Sequence, residues 1–170
     1  MENIKKWFEE QKEQNPKWEK VLNKRFLFVF MVRNPLDTLS SLKEVGFEKA
    51  VPSEIEGKVE LYLTYMNKGL DYFKKNPSRS LVVRYEDLVQ KPSQEIESIV
   101  NFLGENFEDR MLTNFSKPER GKGIEDPKVR HSFSIHSTSI NRWRSDLNSE
   151  QELMIRSRCR EVNKYFGYSL

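Results

Sequence analysis

Arg33 and Ser41 stand eight positions apart, on either side of an Asn34-Pro35 step. A guanidinium can grip a phosphate through two parallel N–H donors, and a serine hydroxyl can add another. Arg33 follows an apolar run, Phe26 to Val32, and precedes a helix start. Asn34 has the side chain of an N-cap, and Pro35 suits the first helical position. Backbone N–H groups and the helix dipole favour an anion at such a junction. Ser41 falls two helical turns further on, so its convergence with Arg33 depends on how the chain bends. Tyr85 closes a second short apolar run, Leu81 to Val83. From the residues alone one alternative stands beside phosphate binding: Arg33 forms a structural salt bridge with Asp37 or Glu86.

The elements that must position these side chains follow from hydrophobic periodicity. Phe26 to Val32 is apolar on both faces, which suits a central parallel strand covered by helices on each side. Ser53 and Glu56 have capping-box spacing. Behind them Ile55, Val59, Leu63, Met66, Leu70 and Phe73 recur every three or four residues, giving one helical face that stops at Asn76-Pro77. Leu81 to Val83 is a second strand, so strand, helices and strand make a βαβ unit with parallel, right-handed connection. Another helix follows Pro92, with Ile96, Ile99, Val100 and Leu103 inward and Gly104 at its stop. Residues 116–139 read as loop. Ser149 and Glu152 form a capping-box pattern for a last helix carrying Leu153, Cys159, Val162 and Phe166 before Gly167. Residues 3–23 have helical patterning, broken near Asn15-Pro16. The fold class is α/β, a parallel sheet flanked by helices. In such sheets ligands bind beyond the carboxyl ends of the strands, where Arg33 and Tyr85 fall.

Composition narrows the function classes. A chain of 170 residues fits a single domain, 1–170, and can bury a real core. Hydrophobic residues at 36% exclude disorder by composition. Lys and Arg number 29 against 26 Asp and Glu, a net charge of +3, which is too small to announce a nucleic-acid binder. The single cysteine, Cys159, excludes an internal disulfide framework, and one Cys with two His cannot supply a Cys/His zinc set. Met1 to Lys20 is charged throughout and lacks the apolar core of a signal peptide. No apolar run approaches the roughly 20 residues needed to span a bilayer. The expected location is cytoplasmic.

Phe28 to Ser41, FVFMVRNPLDTLSS, resembles the 3′-phosphate-binding segment of sulfotransferases that use 3′-phosphoadenosine 5′-phosphosulfate (PAPS). Arg33 and Ser41 match the family spacing, whereas Ser40 does not. Arg84-Tyr85-Glu86-Asp87-Leu88, followed by Lys91-Pro92, is similar to the next family landmark, whose Tyr borders the adenine. Ser139-Ile140-Asn141-Arg142-Trp143-Arg144, with Leu147, resembles a third block found in bacterial-type members, and Gly167-Tyr168 resembles how such chains end. The resemblance spans residues 25–168 and leaves 1–24 as a divergent helical N-terminus.

That resemblance implies a P-loop-NTPase-like sulfotransferase fold, truncated at the N-terminus. The glycine-rich loop that holds the 5′-phosphosulfate has no counterpart before Arg33, because the seven glycines begin at Gly46. The implied reaction moves a sulfuryl group from PAPS to a hydroxyl or amine, releasing adenosine 3′,5′-bisphosphate and needing no metal. Arg33, Ser41 and Tyr85 are the implied donor-binding residues, and Arg130 is a reserve phosphate ligand from its spacing before the third block. No catalytic base is assigned. His131 and His136 lie in the polar loop, and neither aligns with a family base. The implied partners are the nucleotide donor and an unassigned acceptor, with a second copy or another chain covering core left open by the missing strand. A catalytically inactive nucleotide-binding module or partner-binding subunit of the same descent is the alternative.

Overall fold

The computed structural model describes residues 27–42, 51–113 and 135–168. Two strands, β1 (Phe28–Val32) and β2 (Ser80–Arg84), pair in parallel, with Phe28 opposite Ser80 and Val32 opposite Arg84. Between them run α1 (Pro35–Ser41) and the long helix α2 (Ile55–Lys75). β2 leads directly into α3 (Tyr85–Gln90) and then α4 (Pro92–Leu103). The C-terminal part folds as α5 (Trp143–Asp146), α6 (Ser149–Arg158) and α7 (Arg160–Phe166). The α/β class expected from the sequence is what the chain adopts.

The start of α1 is local chemistry. Asn34 Oδ1 accepts from the Leu36 N–H at 2.9 Å, and Pro35, whose missing N–H costs nothing there, opens the helix. Helix α1 is too short to persist alone and is held by its inward face, where Leu36 and Leu39 are fully buried. They meet Val59, Tyr62 and Met66 of α2 and Trp143, Ile155 and Val162 from the C-terminal helices in one core. The α2 stripe read from periodicity, Val59, Met66 and Leu70, is the buried one. Its stop at Asn76, before Pro77, is also as expected.

Several expectations shift. Ser53 does not cap α2: Glu54 is the N-cap residue and makes no side-chain cap bond. The last helix begins one residue earlier in its capping logic, with Asn148 and Gln151 forming the reciprocal box instead of Ser149 and Glu152. It also breaks at Cys159, which separates α6 from α7, and Leu153 is 71% exposed while Ile155 is buried. Leu103 likewise points outward at the end of α4, where Gly104 takes the left-handed conformation (φ 79°) that terminates the helix.

The cover expected on both faces of β1 is only partly seen among the described residues. Among the described residues β1 has a partner strand on one side only. Phe28, Val29 and Met31 remain 40–48% exposed, and only Val32 is buried. Beneath this strand a small apolar cavity of about 130 Å³ is lined by Phe28, Phe30, Gly69, Tyr72 and Phe73. Among the described residues no helix is long and apolar enough to cross a membrane.

Candidate functional site

Arg33 leaves the carboxyl end of β1 where Tyr85 leaves the carboxyl end of β2, because the parallel register sets Val32 opposite Arg84. The Arg33 guanidinium lies over the Tyr85 ring, 4.6 Å from its centroid. A planar cation on an aromatic face is held by electrostatics and dispersion together. One Arg33 amine, Nη2, donates to the carbonyl of Ser139 at 2.7 Å. Its Nε is buried and has no hydrogen-bond partner among the described residues. The guanidinium is therefore oriented while a donor remains unspent.

Neither carboxylate that could pair with Arg33 does so. Asp37, 2% exposed, receives the Asn141 N–H on Oδ2 at 2.9 Å and the Trp143 N–H on Oδ1 at 3.1 Å. Glu86 receives the Asn34 N–H on Oε1 at 2.8 Å and the Tyr168 hydroxyl on Oε2 at 3.0 Å. Burial first, and the Glu86 charge next, push the Tyr168 hydroxyl above its ordinary range, so it stays a donor. The salt-bridge alternative read from the sequence is set aside: both carboxylates hold backbone or hydroxyl donors.

Around this turn the C-terminal segment is fixed from several sides. Ser40, which the family spacing passes over, donates to Asp146 Oδ2 at 2.6 Å, and Arg142 Nε reaches the same oxygen at 3.1 Å. Tyr62 of α2 donates to the Arg33 carbonyl at 3.4 Å. Asn141 holds a left-handed backbone, φ 62°, an uncommon state for a residue with a Cβ. Trp143 is buried in the core with Arg144 and Arg156 over its ring at 5.4 and 5.2 Å, so the Arg-Trp block anchors its segment. A cleft of about 250 Å³ opens here between Asn34, Arg84, Glu86, Asn141, Arg144 and Tyr168, beside Arg33 and Tyr85, which are not part of its wall.

Of the residues singled out from the sequence, Arg33 and Tyr85 come together. Ser41 does not join them: it ends α1, half-buried, and no hydrogen bond links it to Arg33. Arg130 and His131 lie outside the described residues. His136 is exposed, with Nδ1 2.8 Å from the Thr138 hydroxyl. The sequence reading missed Asp37, Glu86, Ser139 and Tyr168 as the frame of the site. A signal existed for Asp37 and Ser40. They recur three positions apart beside Leu36 and Leu39, placing polar groups on the buried face of α1, where they need partners.

With this geometry, the comparisons with known proteins are consistent. Residues 3–109 match the sequence profile of the sulfotransferase family. Mouse carbohydrate sulfotransferase 4 is 29% identical over 91 residues, covering 53% of this chain and 23% of that protein. Two solved structures share the fold. The sulfotransferase domain from the curacin biosynthetic pathway superposes with a TM-score of 0.65 at 19% identity, over 85% of this chain and 54% of that one. The sulfotransferase domain from the Synechococcus PCC 7002 olefin synthase gives 0.68 at 21%, over 91% and 54%. The chain belongs to the sulfotransferase family. It spans about half the length of those two solved chains and about a quarter of the mouse relative.

Proposed function

We propose that this chain supplies the 3′-phosphate and adenine side of a PAPS site, in a sulfotransferase that moves a sulfuryl group to a hydroxyl or amine. The observation that carries the reading is Arg33 itself: a guanidinium stacked on Tyr85 at a strand-to-helix junction, with a buried Nε donor left without a partner. A 3′-phosphate supplies the oxygen acceptor that this donor lacks. Tyr85 offers the adenine a neighbouring aromatic edge, Ser41 adds a hydroxyl from the far end of α1, and Arg130 is the reserve cation.

The bound nucleotide supplies the sulfuryl group. The bond from the acceptor oxygen or nitrogen to sulfur forms as the bond from sulfur to the bridging phosphate oxygen breaks, and the electron pair leaves on the bisphosphate. The acceptor proton passes to a base not assigned among these residues. Arg33 holds the nucleotide through a phosphate that does not react, so its contribution is to binding and orientation.

Calorimetric titration with adenosine 3′,5′-bisphosphate tests this. Saturable binding by the wild-type chain that weakens at least about tenfold in Arg33→Ala supports the reading. Equal affinity in a folded Arg33→Ala chain overturns it.

A further inference from the structure

Three consecutive residues at the end of β2 each hold a different part of the opposite strand's exit or of the C-terminus. Arg84 lies over the Tyr168 ring, 4.6 Å from its centroid. Tyr85 carries the Arg33 guanidinium on its face. Glu86 joins the two sides, accepting from the Asn34 N–H at 2.8 Å and from the Tyr168 hydroxyl at 3.0 Å. Asn34 is the residue next to Arg33 and the N-cap of α1, so a bond to its N–H fixes the backbone from which the Arg33 side chain springs. Without that bond the Arg33–Asn34 peptide is held only by the longer Tyr62 hydroxyl contact to the Arg33 carbonyl, 3.4 Å, so the peptide is less firmly fixed and the aim of the guanidinium loosens with it.

We propose that Glu86, itself oriented by Tyr168, is a positioning residue for the phosphate-gripping Arg33. The inference rests on the donor-site reading above and deepens it. Glu86 makes its contacts to Asn34 and Tyr168, and acts on the nucleotide through Arg33. Tyr168, 7% exposed and two residues from the end of the chain, ties the last helix to a site built from residues more than eighty positions earlier. A misaimed Arg33 loses the 3′-phosphate contact and little else, which makes the role measurable.

The test compares two ligands on the full chain by calorimetry: adenosine 3′,5′-bisphosphate and adenosine 5′-monophosphate, which lacks the 3′-phosphate. The readout is the ratio of the two affinities. General loss of folding lowers both affinities alike and leaves the ratio unmoved. Glu86→Ala is expected to reduce the wild-type ratio about tenfold. Glu86→Gln, whose amide oxygen still accepts from Asn34 and whose NH₂ can donate to the Tyr168 oxygen, is expected to keep most of it. Tyr168→Phe is expected to fall between them, and carries the test if Glu86→Ala does not fold. Equal weakening of both nucleotides, or an unchanged ratio, in the folded variants overturns the positioning role. A wild-type chain that shows no preference for the bisphosphate overturns the donor-site reading, and the inference with it.

Discussion

Asp37 accepts a hydrogen bond from the backbone N–H of Trp143, 106 residues away, at 3.1 Å in the buried core. Its other oxygen takes the Asn141 N–H, so one carboxylate closes the turn that carries the Ser139 carbonyl to Arg33. Removing it strands two backbone donors. Asp37→Ala is expected to cost about 2–6 kcal/mol in urea unfolding, since each of the two orphaned donors costs about 1–3. Asp37→Asn should cost less, because its amide oxygen still serves one N–H. A loss below about 0.5 kcal/mol for Asp37→Ala would show that the turn is held by other contacts.

Asp146 sits at a second junction between α1 and the C-terminal segment. The Ser40 hydroxyl first, then Ser145 and Arg142, hold its carboxyl below the usual carboxylate range. A lowered folded-state pKa stabilises the protein above the ordinary carboxylate value of about 3.9, and that contribution fades as pH falls through the lowered value. The stability gap between wild type and Asp146→Asn should therefore be full at pH 7 and shrink as the pH approaches 3, followed by denaturant unfolding. A gap constant over that range would remove the electrostatic account.

Gly69 lies on α2 where β1 crosses it, and the carbon that alanine adds there would run into the Phe30 ring. Alanine ordinarily stabilises a helix interior by about 1 kcal/mol over glycine. Here overpacking of about 1–3 kcal/mol is expected to win, so Gly69→Ala lowers the thermal midpoint. In a Phe30→Ala background the same change should become stabilising. If Gly69→Ala stabilises the wild-type chain outright, the Phe30 contact is too soft to matter.

Cys159 is completely buried at the break between α6 and α7, and burial pushes its thiol up to about 11. The raised value means that this group adds stability below the ordinary thiol pKa of about 8.5, lost as pH rises through the folded value. The gap between wild type and Cys159→Ala should narrow between those two pH values in denaturant titrations. Reaction of the native thiol with an aromatic disulfide reagent should also track unfolding; immediate reaction at neutral pH would contradict its burial.

Much of the fold was legible because its signals are local. The Asn34 cap, the Pro35 start, the Val59–Met66–Leu70 stripe and the Gly104 stop each depend on neighbours within a turn or two. The helix-start errors at Ser53 and Ser149 came from capping residues standing side by side, where tertiary packing chooses between adjacent frames. The apolar run of β1 correctly announced a strand, but among the described residues only Val32 of it is buried, because what covers a strand's faces is not a local property. The site divided in the same way. Arg33 and Tyr85 were readable from their positions at strand ends. The roles of Asp37 and Glu86 were not, because both partners lie 52 to 106 residues away. Adjacency in sequence pointed them at Arg33, whereas the folded chain spends them on the backbone.

Phosphorus NMR reads directly the contact proposed between Arg33 and the 3′-phosphate of the nucleotide. Adenosine 3′,5′-bisphosphate gives separate signals for its two phosphorus atoms. Titrated with the wild-type chain, the 3′ signal is predicted to shift strongly, and in Arg33→Ala that shift is predicted to disappear while the chain remains folded. A response confined to the 5′ phosphorus, or a 3′ shift unchanged in Arg33→Ala, would contradict the account.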